Sequence, residues 1–195
     1  PKVSIDGCYF DSADVGPSTL YGVRVSSAAT PASVYVTNCT FKDANTNGTS
    51  YPVAISSSSI NSLLSVTDST FTTGGNVIGG TGVYRGIFVT GATAVVSNNT
   101  FTYLTATGTS TIACIYNNSN PSDVKLTVSN NIFSRLITAN GTLRAVDVLY
   151  GNTDDSVSIT NNTVHDVTTA SSAPFGLFNI THAVSSDATH KLVFS

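Results

Sequence analysis

The chain contains no Glu, Gln, Met or Trp, and only 10% of its 195 residues are charged. Glu, Gln and Met are good helix formers, whereas the abundant Val, Thr, Ser, Asn and Gly suit strands and turns. A helical fold is therefore disfavoured by composition alone. Charge is far below the roughly 25% usual in soluble domains, and the formal net charge is −3. With no basic run, neither nucleic acid nor an anionic membrane surface is expected as a partner. No stretch is apolar enough to span a bilayer, so no membrane insertion is expected in this segment. Residue 1 opens on a charged, strand-like phrase and not on a signal peptide, which suggests an excerpt or a processed chain.

What the chain does have is a repeated phrase. VSIDGCYF (Val3–Phe10), VYVTNCTF (Val34–Phe41), LSVTDSTF (Leu64–Phe71), AVVSNNTF (Ala94–Phe101), LTVSNNIF (Leu126–Phe133) and VSITNNTV (Val157–Val164) are six copies, and KLVFS begins a seventh, with Phe194 standing where Ile5 and Val36 stand. The last residues, Phe10, Phe41, Phe71, Phe101, Phe133 and Val164, are 31, 30, 30, 32 and 31 residues apart. Such a period indicates a solenoid, propeller or array. Within each phrase apolar residues alternate on either side of a polar pair, which reads as strand, turn, strand.

A further strand lies between phrases. Its inward pairs read Val23/Val25, Val53/Ile55, Ile87/Val89, Ala113/Ile115, Val146/Val148 and Phe178/Ile180, and its outward row reads Arg24, Ala54, Phe88, Cys114, Asp147, Asn179. Strands keep phase while the linkers between them change length, as loops do on a rigid scaffold. Three short strands per period fit a parallel β-helix. A propeller blade needs roughly 40 to 50 residues.

The turn residues are Gly7, Asn38, Asp68, Asn98, Asn130 and Asn161, followed by Cys8, Cys39, Ser69, Asn99, Asn131 and Asn162. A sharp corner favours Asn or Gly, which tolerate the left-handed region. Stacked side chains of the corner row Asn38, Asp68, Asn98, Asn130 and Asn161 are expected to bond from coil to coil. The aromatic stack Phe10, Phe41, Phe71, Phe101 and Phe133 is expected to fill the core.

The phrases VSNNTF and VSNNIF resemble the repeats of the right-handed parallel β-helix, pectin-lyase-like superfamily, over essentially the whole chain. The resemblance implies an all-β, right-handed parallel β-helix of about six coils with 30–32 residues each, forming one segment over 1–195. It implies little about activity, because that superfamily includes polysaccharide lyases and hydrolases, tailspikes and surface adhesins. A hydrolase needs a carboxylate pair, and a lyase needs a base with cationic stabilisation. No two acids stack on the outward row. Asp11, Asp14, Asp43, Asp123, Asp154, Asp155, Asp166 and Asp187 fall mostly in turns and loops.

No catalytic site, metal or cofactor is therefore assigned. Asp154-Asp155 reads as a polar turn in preference to a calcium loop, and His165-Asp166 as a surface pair without a third partner. His182 and His190 are too isolated for a metal site. Cys8 and Cys39 hold equivalent places on successive coils and are disulfide candidates, against the strain of bridging in-register neighbours. Cys114 is left over and is expected to point outward. Of seven glycosylation sequons, Asn47, Asn117, Asn140 and Asn179 are the expected acceptors, whereas Asn38, Asn98 and Asn161 are expected to be hidden in the corner ladder. The rows Thr37, Thr67, Ser97, Ser129, Thr160 and Tyr35, Ser65, Val95, Thr127, Ser158 are expected to form one hydroxyl-rich face, similar to ice-binding solenoids but interrupted by Tyr35 and Val95.

These readings favour a non-enzymatic structural or adhesive β-helix of a surface filament, stalk or adhesin, extracellular or at the cell surface. Its expected partners are further copies, end to end or laterally, and glycans. The alternatives are a carbohydrate-active or carbohydrate-binding β-helix, and then an ice-binding solenoid.

Overall fold

The computed structural model describes residues 1–12, 18–27, 31–43, 47–57, 61–119, 125–150, 156–169, 176–182 and 191–194. They form a right-handed parallel β-helix of about five turns, built from three parallel sheets, with no helix among the described residues. The turn count is slightly lower than the six coils expected.

Sheet I stacks Lys2–Asp6, Ser33–Thr37, Leu63–Thr67, Thr93–Ser97, Lys125–Ser129, Ser156–Thr160 and Lys191–Phe194. Sheet II stacks Tyr9–Ser12, Thr40–Asp43, Thr70–Thr72, Thr100–Ala106, Ile132–Thr138 and Thr163–Thr169, with Val77–Ile78 beside Thr100–Ala106. Sheet III stacks Thr19–Ser27, Thr49–Ser57, Val83–Thr90, Thr111–Ser119, Leu143–Tyr150 and Phe178–His182. The seventh phrase takes its expected place, with Phe194 paired to Ile159.

The turn between sheets I and II explains the phrase. Asn38, Asp68, Asn98, Asn130 and Asn161 all have φ between 51° and 58°, and Gly7 has φ 63°. The left-handed conformation is thus demanded once per coil, and Asn, Asp or Gly meets it at least cost. The bonded ladder, however, lies one residue later than expected. The corner residues themselves are exposed, while Ser69, Asn99 and Asn131 are buried. Asn99 Nδ2 donates to Asn131 Oδ1 at 3.0 Å, and Asn131 Nδ2 donates to Asn162 Oδ1 at 2.9 Å. The left-handed residue turns its own side chain out and aims the next one inward.

Inside, the phenyl rings stack at centroid spacings of 4.6, 5.0, 4.6 and 5.2 Å from Phe10 through Phe41, Phe71 and Phe101 to Phe133. Phe10 is half-buried and the other four are buried. The rings press on a row of small residues in sheet III. A Cβ on Gly86 would lie 2.9 Å from the Phe101 ring and 2.7 Å from the Cys114 carbonyl, so glycine here is a matter of space.

Two features break simple alternation. In sheet II, Tyr103, Arg135 and Asp166 are also left-handed, with φ 54°, 52° and 54°, and the strand turns a second corner there. The legible sign is that an inward residue recurs three places on, at Phe101/Leu104, Phe133/Leu136 and Val164/Val167. In sheet III, consecutive residues are buried at Gly86-Ile87, Cys114-Ile115 and Ala145-Val146. This phase change overturns one inward pair. Ile115 pairs with Ile87, and Asn117 pairs with Val89, so the inward pair is Ile115/Asn117 and not Ala113/Ile115.

Candidate functional site

The corrected register places Tyr116, not Cys114, in the outward row of sheet III, which runs Arg24, Ala54, Phe88, Tyr116, Asp147, Asn179. Beside it runs Tyr21, Tyr51, Arg85, Ala113, Arg144. The two rows form a continuous aromatic and guanidinium face. Tyr21 stacks on Tyr51 at 5.2 Å, Tyr51 meets Phe88 at 5.1 Å with a 49° tilt, and Phe88 stacks on Tyr116 at 5.7 Å.

Two arginines lie on these rings. The Arg85 guanidinium is 4.0 Å from the Tyr116 centroid and 5.7 Å from both the Tyr51 and Phe88 centroids, and it donates to the Tyr51 hydroxyl at 2.8 Å. Arg24 covers Tyr21 at 4.5 Å. A cation over a ring face is held by the ring quadrupole, more strongly where water is displaced. Ala54 and Ala113 occupy outward positions yet are 4% and 1% exposed, so they floor the cluster. Burial pushes the Tyr116 phenol above its ordinary pKa, Arg85 partly opposes this, and Asp147 and Tyr51 add to it. Tyr116 therefore stays a neutral hydroxyl donor.

At the far end, Asn179 Nδ2 donates to Asp147 Oδ1 at 2.6 Å. Asp147 is the lone acid among the described residues of sheet III. The face thus carries Arg24, Arg85 and Arg144 against one carboxylate, a local excess of positive charge (three against one) on a chain of net charge −3. It offers a row of ring edges and hydroxyls, the ring faces being taken up by one another and by the guanidinium groups, flanked by planar hydrogen-bond donors.

The other candidate residues are dispersed. His165 Nδ1 lies 2.9 Å from Asp166 Oδ2, both exposed. Asp154, Asp155 and His190 lie outside the described residues, as do Asp14, Asp123 and Asp187. His182 ends a strand of sheet III, whereas His165 lies on sheet II. Among the described residues no three His, Cys, Asp or Glu side chains gather as a metal site. The hydroxyl rows align as expected, with Thr37, Thr67, Ser97, Ser129 and Thr160 in register on sheet I.

Two glycosylation expectations change. Asn117 is buried and inward-facing, because the phase change in sheet III carries it into the core. Asn38, Asn98 and Asn161 are exposed, because their left-handed corners turn them out. Asn47 and Asn140 are exposed as expected, and Asn179 faces outward with its amide engaged by Asp147.

The three cysteines are free thiols. The Cys8 thiol is exposed and points to the Asp6 carbonyl at 3.5 Å. The Cys39 thiol is buried against the Thr37 carbonyl at 3.1 Å and the Ile5 carbonyl at 3.7 Å. Burial pushes the Cys39 thiol up. Cys114, expected to face outward, is fully buried, level with Gly86 and Ala145 in the small-residue row, and burial pushes its thiol up strongly. Because only the thiolate reacts, titration with an aromatic disulfide should modify Cys8 rapidly, Cys39 slowly and Cys114 only on unfolding. Rapid native labelling of Cys114, read by peptide mapping, would contradict this burial.

A scan against protein-family models finds no match, and searches of curated proteins and of solved structures find none either.

Proposed function

We propose that the protein is a non-catalytic, extracellular or surface-displayed β-helix that binds an acidic polysaccharide along the outer face of sheet III. The observation that carries this reading is the ring and guanidinium cluster of Tyr21, Tyr51, Phe88, Tyr116, Arg24 and Arg85. Exposed ring edges and tyrosine hydroxyls combine an apolar contact with a hydrogen-bond handle for sugar rings, and arginine forks match carboxylates with two parallel hydrogen bonds. An extended chain laid along the axis would meet one rung about every 4.8 Å. Binding is favoured over cleavage because, among the described residues, Asp147 is the only carboxylate of sheet III, and glycoside hydrolysis ordinarily needs two, roughly 5 to 9.5 Å apart. The parallel sheets with stacked Asn and Phe support kinship with the pectin-lyase-like superfamily, and an adhesive surface role follows from binding without chemistry.

The test is affinity electrophoresis through gels containing a polyuronate, a sulfated polysaccharide or a neutral glucan. Retardation is expected with the acidic polymers, without new reducing ends or unsaturated products. Arg85→Ala should weaken binding about tenfold, the equivalent of ~1.4 kcal/mol for one lost cation and its fork. Equal retardation of Arg85→Ala, or none of the wild type by any polymer, would reject the reading.

A further inference from the structure

The second left-handed corner, in sheet II, carries residues that its backbone does not favour. At the first corner the same demand is met by Asn38, Asp68, Asn98, Asn130 and Asn161. At the second, two of the three described positions hold Tyr103 and Arg135, at φ 54° and 52°. Positive φ on a bulky residue is a true outlier, and such strain persists where the side chain has a use. The chain meets this demand with Asn or Asp five times over at the first corner, so the second corner was not filled for backbone comfort.

These side chains face outward. Tyr103 is 48% exposed, and Ile132 and Ile137, at 42% and 40%, flank Arg135 on its own strand. Val77 is exposed in the row of Ile137, with Thr105 between them. Five of the seven exposed large hydrophobics among the described residues therefore lie on sheet II, Tyr9 and Ile132 in one row before the second corner, Tyr103 at it, and Val77 and Ile137 in one row after it. Clustered exposed apolar groups with Tyr and Arg are the composition of protein interfaces.

The charges say which partner fits. Arg135 and Asp166 are level on adjacent rungs, about 4.8 Å apart along the axis. They nonetheless make no ion pair with each other. Arg135 lies over the Tyr103 ring at 4.5 Å, and Asp166 takes His165. One basic and one acidic group on neighbouring rungs form a self-complementary pair. A twofold axis lying in the interface, across the solenoid and midway between the two rungs, brings Arg135 of each copy opposite Asp166 of the other. A two-fold interface requires just this reciprocity.

We propose that a second copy of this chain docks on the ridge formed by the second corner of sheet II, antiparallel to the first. Arg135 pairs with Asp166 across the axis in both directions, which sets Ile132 and Ile137 of each copy opposite Thr163 and Thr168 of the other. This surface is distinct from the face of sheet III and independent of what that face binds. A dimer would present two such faces, and paired sites gain avidity without any new contact.

Sedimentation equilibrium of the 195-residue chain at low salt, from about 1 μM to about 1 mM, tests this across the range of weak interfaces. A monomer–dimer equilibrium is expected. Arg135→Asp should weaken it at least tenfold, and Arg135→Asp combined with Asp166→Arg should restore it. Tyr103→Asn suits the left-handed corner and removes the ring that holds Arg135 in place, so it should weaken association without lowering the thermal midpoint. Merely structural roles for Tyr103 and Arg135 would instead link every loss of association to a loss of stability. A monomer throughout the range, an unaffected Arg135→Asp variant, or failure of the double reversal to restore association would each overturn the proposal.

Discussion

Replacing Asn131 by alanine is expected to destabilise the protein by about 3 to 5 kcal/mol, since each buried polar group left unpaired costs roughly 1 to 3 kcal/mol. The Asn131 side chain serves several groups at once. Its Oδ1 accepts the Asn99 backbone N–H at 2.9 Å and Asn99 Nδ2 at 3.0 Å. Its Nδ2 donates to the Val96 carbonyl at 3.0 Å and the Ser129 carbonyl at 3.1 Å, besides Asn162. Truncation strands these groups in a site that is 0% exposed. The neighbouring Asn130→Gly is the internal control. Its side chain is exposed at φ 55°, a conformation glycine adopts freely, so it should stay within about 1 kcal/mol of wild type. Equilibrium denaturation of both variants decides the matter. If Asn130→Gly proved the costlier, the ladder would belong to the corner residues after all.

The second large effect is expected at Phe101→Ala, again about 3 to 5 kcal/mol, the usual cost of deleting a buried phenyl ring. Phe101 stacks between Phe71 at 4.6 Å and Phe133 at 5.2 Å and is fully buried. Its edge fills the space above Gly86, which a rigid parallel sheet cannot close by collapsing. Phe10→Ala removes a ring that is half-buried and stacks on Phe41 alone. It should cost less than half as much. Similar denaturation midpoints for the two variants would show that ring burial does not set the energetics of the stack.

Both predictions come from the part of the fold most legible in the sequence. The period, the strand–turn–strand phrase and the phenyl stack follow from local rules: alternation in a strand and the φ demand of a tight corner. Even so, the ladder lies at Asn99 and Asn131, because side-chain direction after a left-handed residue is a three-dimensional property. The second corner is hidden in the sequence, because Tyr103 and Arg135 carry no turn signature and Asp166 alone does not establish a recurring one.

By itself the sequence determined the class of fold, its axis and its inner stack, since each coil repeats the same local instruction. Only the tertiary structure decided what the outer face of sheet III carries. Successive coils there differ in length, 34 residues from Val53 to Ile87 but 28 from Ile87 to Ile115, and the strand changes phase midway. Which side chains become neighbours then depends on hydrogen-bond register between coils, and that register brought Tyr116 under Arg85 and carried Cys114 and Asn117 into the core.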